Sequence, residues 1–222
     1  MPAMGSRLRV NVGGGATPTP GWVNIDNSWT VRLARTPGLM GALALAGLVN
    51  RDQVEFARVA RGHGILWADA ARHIPLADGS VEVLYSSHMI EHLSPEQEAP
   101  CFLAEARRVL APGGILRIAV PDLLRRARRY VEGSWEAGAF VESLKLADRT
   151  PSGKRAWLRR RFGGILNHRW MYDADSLIRL VERSGFHGAL ELPPGETTIP
   201  GPGPLNLRER EEESIYVEAQ RG

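Results

Sequence analysis

The sequence predicts an α/β protein with a doubly wound sheet in three α/β/α layers. Strand patterns alternate with helical patterns along the 222 residues, which is typical of this class. Residues 75–122 also contain a strand, a helix and a second strand in close succession, and this is the unit of a parallel sheet. Ligands of such sheets bind at the carboxyl ends of the strands, so we look for the functional site there.

The first half of the chain contains three predicted strands and a helical region. The strands are LRVNV (8–12), WVNID (22–26) and GILWAD (64–69). Residues 30–62 show helical periodicity that is interrupted near Pro37 and Gly47. We interpret the apolar stretch 38–49 as a helix that covers the core or the site, because it is too short and glycine-rich to span a bilayer.

The middle of the chain has the clearest pattern. Val81, Val83 and Tyr85 alternate with polar residues and predict a strand that stops at Ser86 and Ser87. A helix is predicted to start after Ser94-Pro95 and to end before the Pro-Gly-Gly run at 112–114. The apolar run ILRIAV (115–120) then predicts a buried strand.

The last hundred residues complete the predicted order. Residues 123–162 are helical and amphipathic with a break at 150–153, and Asp173 caps a further helix that ends before Gly185. Strands six and seven are predicted near 187–192 and at 214–219, separated by a Pro/Gly-rich loop. We expect a single domain over residues 1–222, with helical cover segments at 30–62 and 123–166.

Composition limits the class of protein. The chain is 43% hydrophobic and 24% charged, which suits an ordinary globular protein. The single Cys101 excludes an internal disulfide framework and a zinc site built from several cysteines. No secretory signal is visible, so we expect a cytoplasmic protein without a membrane partner.

Two basic clusters suggest one type of partner. The first contains four arginines at 125–129, and the second lies at 154–161 with Trp157 and Phe162 interleaved. Such patches could bind nucleic acid, although arginines also occupy solvated helix faces and nearby glutamates offset the first cluster. Nucleic-acid binding is therefore an alternative hypothesis here.

Small and acidic residues follow the first three strands. Gly13-Gly14-Gly15 comes directly after strand one, where glycines allow a close approach of the backbone to a ligand. Asp26 ends strand two, where it could accept hydrogen bonds from a ribose diol, and Asp69 ends strand three, where it could reach an adenine amino group. The alternatives are a turn or helix cap for Asp26 and a loop cap for Asp69.

These motifs resemble those of the class I S-adenosylmethionine-dependent methyltransferases, and in particular a small bacterial branch with an N-x-G-x-G motif followed closely by GWxNxD. The resemblance implies a Rossmann-like, seven-stranded, mostly parallel sheet with an antiparallel last strand. It also implies S-adenosylmethionine as cofactor and S-adenosylhomocysteine as product. The segments that carry it are RVNVGGG, NID, WADA, IPLADGSVEVLYSSHMIEHL and EARRVLAPGGILRIAVPD.

The resemblance also implies roles for individual residues. The glycine loop would contact the methionine part of the cofactor, Asp26 would contact the ribose, and Asp69 with Ala70 the adenine. The cofactor-binding residues predicted in this way are Asn11, Gly13, Gly14, Gly15, Asp26, Asn27, Asp69, Ala70, Ser86, Ser87 and His88.

Two positions depart from the family pattern. Asn11 replaces the usual acid before the glycines, and Thr17 replaces the third glycine. Asp26 also follows Gly15 so closely that the usual first helix must be absent or a single turn. These departures leave open a protein that binds the cofactor without catalysing transfer.

The segment His88-Met89-Ile90-Glu91-His92 fits the H-x-x-E-H pattern, in which two histidines bind zinc and the glutamate acts as base. Its context argues against zinc hydrolysis, because it follows a parallel strand and Pro95 prevents a long helix. In the resembled family the residues EHL, here 91–93, recur at this place without metal. We therefore expect no metal.

Methyl transfer needs alignment of the two substrates and, for an oxygen acceptor, removal of a proton. His88 and His168 are the predicted catalytic bases, since histidine titrates near neutrality, while His168 could equally be a packing residue. We expect a small-molecule substrate, with transfer to an oxygen or nitrogen of a biosynthetic metabolite such as a sugar or secondary metabolite. RNA or another polyanion is the alternative acceptor.

Overall fold

The computed structural model describes residues 7–146 and 167–222, and within them it contains one seven-stranded sheet. The strands are β1 (Leu8–Val12), β2 (Val23–Asp26), β3 (Leu66–Trp67), β4 (Val81–Ser87), β5 (Leu110–Pro121), β6 (Phe186–Leu192) and β7 (Ser214–Arg221). Their order is β3-β2-β1-β4-β5-β7-β6. The first five run parallel, and β7 is antiparallel to both of its neighbours. The predicted fold class is confirmed.

The described helices are α1 (Trp29–Ala34), α2 (Pro37–Leu45), α3 (Arg51–Gly62), α4 (Glu98–Val109), α5 (Leu123–Val131), α6 (Ala137–Ser143) and α7 (Ala174–Arg183). Four of them begin at side-chain caps, which are Ser28, Asn50, Asp122 and the predicted Asp173. The predicted helical stretch beyond residue 146 lies outside the described residues. None of the described helices has both the length and the apolarity needed to cross a membrane.

Two elements differ in extent from the prediction. Strand β3 pairs over only two residues rather than six. Helix α4 begins at Glu98 rather than at Pro95, and its N-cap residue Gln97 makes no side-chain cap hydrogen bond. The Ser94 hydroxyl accepts from the Glu98 amide while the Glu98 carboxylate accepts from the Ser94 amide, so the pair connects the turn before the helix to its first residue.

The connection between β1 and β2 is short, as the sequence predicts. Residues 13–22 form turns without a helix, and the helical segment follows β2 instead. Helices α1, α2 and α3 pack on one another and on the β3 edge around an apolar cluster of their own, which includes Val31, Met40 and Ala57. The helical character predicted for 30–62 is therefore present, at the edge of the sheet.

A buried ion pair lies within the sheet, on the face covered by the loop that precedes β7. Arg117 on β5 and Glu218 on β7 are 0% and 1% exposed, and their side chains are 2.6 Å apart. Arg117 also donates to the Glu196 and Leu207 carbonyls, while Glu218 accepts from Thr197 and Thr198. The pair therefore holds the segment 193–213, which we call the covering loop, against the sheet.

Candidate active site

The carboxyl ends of β1, β2, β3 and β4 meet at an open cavity of about 1180 Å³. Asp26 and Asp69 both line it, so the two carboxylates share one site as the sequence predicts. The predicted cofactor-binding residues that line the cavity are Gly13, Gly14, Gly15, Asp26, Asn27, Asp69, Ser87 and His88. Asn11, Ala70 and Ser86 are buried behind this surface. None of residues 30–62 is among the lining residues, so that segment does not cover the cavity.

The glycine loop is held close to β2 and to the turn after β4. Gly13 has φ +73°, its amide donates to the Ile25 carbonyl at 2.8 Å, and a Cβ there would lie 2.4 Å from Met89 Cγ. Asn11 supports the loop from behind, since its amide nitrogen lies 3.3 Å from the Thr17 carbonyl and 3.2 Å from the Thr19 hydroxyl. The loop is therefore pre-organised.

Each aspartate also organises its own turn. Asp26 accepts from the Gly15 amide at 3.2 Å and from the Ser28 amide at 2.8 Å, which joins β2 to the glycine loop. Asp69 accepts from the Ala71 amide at 3.2 Å and lies 3.3 Å from the Arg72 guanidinium. Both aspartates therefore line the cavity and also stabilise their own turns, which was the alternative considered from sequence.

His88 is held in an uncommon backbone conformation on the cavity wall. Its φ of +49° lies in the left-handed region, and its amide donates to the Ala119 carbonyl at 2.9 Å. The ring Nε2 lies 2.9 Å from the Ser214 hydroxyl, and Nδ1 lies 3.4 Å from the Glu91 carboxylate. Both ring nitrogens therefore already have polar neighbours.

His168 also lines the cavity, with only 6% of its surface exposed. Its Nδ1 is 2.9 Å from the Leu144 carbonyl. Burial lowers the pKa of His168 to about 4, an effect that the nearby Glu91 carboxylate only partly opposes. The ring is therefore neutral at pH 7, and Nε2 carries its free lone pair.

Sequence reasoning missed a second carboxylate next to the glycine loop. Glu209 lines the cavity, accepts from the Tyr85 hydroxyl at 2.9 Å, and lies 3.4 Å from the Thr17 hydroxyl. Burial, and next to it the Glu209 charge, raises the pKa of Tyr85, which keeps that hydroxyl a donor. The acid-rich run 209–213 was the only available signal, and it does not indicate which glutamate faces the cavity.

The first arginine cluster is largely used inside the fold. Arg126 is 7% exposed and bonds the Glu213 carboxylate and the Ser143 carbonyl. Arg125 donates to the Glu211 carbonyl, and Arg129 stacks over the Trp135 ring. The second cluster, at 154–161, lies outside the described residues.

One known family matches part of the chain that forms the cavity. Residues 45–118 match the family model described as a methyltransferase domain. The match extends from the end of α2 into β5, and it includes Asp69, Ser87 and His88 of the cavity. The chain therefore contains a segment that matches a methyltransferase domain, and its fold is shared with solved S-adenosylmethionine-dependent methyltransferases. No curated protein matches its sequence.

Solved structures share the fold of this chain at low sequence identity. An S-adenosylmethionine-dependent methyltransferase from Thermotoga maritima, described as a possible histamine N-methyltransferase, has a TM-score of 0.52 and 16% identity, over 99% of this chain and 84% of that one. A protein from Haloferax volcanii, solved with the Trm112 methyltransferase activator, has a TM-score of 0.51 and 14% identity, over 100% and 84%. The CurJ carbon methyltransferase has a TM-score of 0.51 and 12% identity, and the match covers all of this chain but only 50% of that one.

Proposed function

We propose that this chain holds S-adenosylmethionine in the cavity at the carboxyl ends of β1 to β4. It would transfer the methyl group to an oxygen or nitrogen of a small biosynthetic metabolite, such as a sugar or secondary metabolite, and release S-adenosylhomocysteine. The observation that carries the proposal is the convergence of Gly13–Gly15, Asp26 and Asp69 on one cavity. Ligand pockets commonly enclose about 300–1,000 Å³, so this cavity has room for the cofactor and a small acceptor.

In this proposal each part of the cofactor is bound by a different group of the protein. Asp26 and Asn27 hold the ribose, Asp69 lies at the adenine, and the glycine loop follows the methionine part. Ser87 and His88 lie at the point of transfer. The buried Asn11, Ala70 and Ser86 act through their neighbours, since Asn11 fixes the glycine loop and the other two adjoin Asp69 and Ser87.

Replacement of Asp26 by alanine should weaken binding of S-adenosylhomocysteine by about 1–3 kcal/mol, because two ribose hydroxyls lose their acceptor. Isothermal titration calorimetry measures this directly. Asp52→Ala, an exposed aspartate in the first turn of α3, is the control and should bind normally. Unchanged affinity of the Asp26 variant would contradict the ribose role.

Glu209 supplies the charge that Asn11 lacks. The amino acid end of the cofactor carries an ammonium and a carboxylate, and Glu209 next to the glycine loop can accept from the ammonium. Arg210, which also lines the cavity, provides a cation on the same side for the carboxylate. An acid from the covering loop would thus replace the acid that is missing at position 11 in β1.

Glu209→Gln should weaken S-adenosylhomocysteine binding by about 1.5–3 kcal/mol, the usual value for a hydrogen bond to a charged group. Binding of 5′-methylthioadenosine, which lacks the amino acid end, should be unchanged. The neighbouring Glu211→Gln is the control, since Glu211 pairs with Arg208 and is not among the cavity-lining residues. Equal losses for both ligands would refute the assignment.

Two observations favour a small acceptor over a polyanion. The cavity contains the carboxylates of Asp26, Asp69, Glu98 and Glu209, which would repel a phosphate backbone. The first arginine cluster is engaged by the fold itself. Incubation of cell extract with a radiolabelled methyl donor tests this, and the label should appear in small molecules rather than in the RNA fraction.

The geometry favours His168 over His88 as the group beside the acceptor. Both ring nitrogens of His88 have neighbours, whereas Nε2 of His168 has no hydrogen-bond partner among residues 7–146 and 167–222. His168→Ala should lower turnover roughly 10²–10⁴-fold, the usual contribution of a positioned base, without changing affinity for S-adenosylhomocysteine. The exposed His187→Ala is the control. A variant that instead loses cofactor affinity would place His168 at the wrong end of the cavity.

A further inference from the structure

Three side chains with metal-ligand atoms meet at one wall of the cavity. A Glu91 carboxylate oxygen and one ring nitrogen each of His92 and His168 all lie within 4.8 Å of one another. Glu91 and His92 belong to the turn after β4, while His168 comes from the segment before α7. Both histidines line the cavity, so the cluster borders the space in which the acceptor would bind.

Both histidines are oriented as metal-binding histidines usually are. His92 Nδ1 lies 3.2 Å from the Asn167 carbonyl, and His168 Nδ1 lies 2.9 Å from the Leu144 carbonyl. A carbonyl can only accept, so each Nδ1 is the protonated nitrogen and each Nε2 keeps its lone pair. Such a second hydrogen bond fixes the tautomer and the ring orientation that a metal requires. The two rings meet edge to face, with centroids 5.1 Å apart.

Glu91 provides a second, independent observation. The residue is 1% exposed, and neither carboxylate oxygen has a hydrogen-bond partner among the described residues. The nearest group that could carry a positive charge is His88, whose Nδ1 lies 3.4 Å away. An isolated buried carboxylate is costly, and such groups are normally paired or coordinate a metal. A bound cation would supply the missing partner.

We infer that Glu91, His92 and His168 form a binding site for one divalent transition-metal ion of the zinc type. Two imidazoles and one carboxylate are a familiar zinc ligand set, whereas magnesium and calcium prefer oxygen ligands. Ligand atoms around tetrahedral zinc lie roughly 3.3 Å apart, so small side-chain rotations would close the present spacing. The fourth position would face the cavity.

This site differs from the one that the H-x-x-E-H pattern describes. The pattern assigns His88 and His92 as ligands and Glu91 as base, whereas the structure turns His88 toward Ser214. Glu91 itself becomes a ligand, and His168 completes the set from 76 residues further along the chain. The absence of metal expected from sequence rested on the context of that motif and on the family resemblance, and it concerned His88 and His92 as the ligands.

The site would also define the acceptor, and this consequence rests on the proposed function. A hydroxyl bound at the open position has a lower pKa and releases its proton to water more readily. The resulting oxygen attacks the methyl carbon, and the electrons of the broken carbon–sulfur bond remain on sulfur as the thioether product. The site therefore favours an alcohol or phenol acceptor. With Nε2 bound to the metal, His168 acts as a ligand, and this role replaces the base role given to it in the proposed function.

Zinc binding can be measured without substrate or cofactor. The purified full chain is treated with EDTA, dialysed, and titrated with zinc against a chromophoric chelator. We expect one zinc per chain, and a cobalt complex with visible d–d absorption. Glu91→Gln should weaken zinc binding by at least roughly tenfold, as disturbance of a zinc coordination shell usually does. Magnesium should not compete.

The matched control is His73→Gln, because His73 contacts Glu105 at 3.3 Å on the surface and offers a histidine–carboxylate pair without a third ligand. This variant should bind zinc like the wild type. If Glu91→Gln does not fold, the partly exposed His92→Gln replaces it. Absence of stoichiometric binding, or equal affinity in wild type and ligand variants, overturns the site. Binding of S-adenosylhomocysteine measured on the same samples tests the proposed function separately.

Discussion

Glu218→Ala should lower the free energy of unfolding by about 3–5 kcal/mol, the usual cost of removing one partner from a buried ion pair. The variant leaves the fully buried Arg117 guanidinium without its carboxylate. It also removes the acceptor for Thr197 and Thr198 at the start of the covering loop. Urea denaturation followed by far-UV circular dichroism measures the change.

The control for this variant removes the carboxylate from a more exposed arginine. Glu82 is 38% exposed and pairs with Arg9, which is 25% exposed, so Glu82→Ala should cost no more than about 1 kcal/mol. The double variant Arg117→Met/Glu218→Leu should recover much of the lost stability, since apolar replacement of a buried pair is often neutral. Equal losses in the free energy of unfolding for Glu218→Ala and Glu82→Ala would show that burial of the Arg117–Glu218 pair does not contribute to stability.

Gly13→Ala should abolish measurable binding of S-adenosylhomocysteine. A side chain at φ +73° costs about 1–2 kcal/mol. The added Cβ would in addition lie 2.4 Å from Met89 Cγ and 2.7 Å from Met89 Cβ, atoms too close to their backbone to move away cheaply. The glycine loop and the turn after β4 would therefore separate at the centre of the cavity. Calorimetry measures the loss of ligand binding, and thermal denaturation measures the loss of stability.

Gly21→Ala separates backbone strain from the clash. Gly21 has a similar φ of +75°, but a Cβ there would meet nothing within 4 Å. Its alanine variant should lose similar stability from strain and still bind the cofactor product. If both variants bind normally, the close approach of Gly13 to Met89 does not matter for the site.

Local sequence patterns predicted the strand ends well. The glycines after β1, Asp26 after β2 and Ser87 at the end of β4 stand next to their strands in the chain, and parallel topology brings such positions to one edge. The short β3 was overestimated, because an apolar pattern cannot show how many residues a neighbour will pair. For the apolar stretch 38–49 the sequence left open whether it covers the core or the site, because periodicity does not indicate the surface on which a helix packs.

Contacts between distant parts of the chain were not predictable from spacing. Glu209 meets Tyr85 across 124 residues, and several glutamates nearby have the same local pattern. His168 was identified as a candidate from its residue type, but its proximity to Glu91 and His92 depends on how the segment before α7 returns to the turn after β4. Only the folded chain shows which of these side chains meet.

The attachment of the covering loop has a consequence for ligand binding. One end of this loop is fastened to Arg117 and Glu218, and the other carries Glu209 to the glycine loop. Folding of this face and ligand binding in the cavity are therefore thermodynamically linked. A saturating nucleoside ligand should raise the melting temperature of the destabilised Glu218→Ala variant by more than the reduced affinity of that variant for the ligand would suggest. Mutations far from the cavity would then lower activity by weakening the attachment of the covering loop to the sheet.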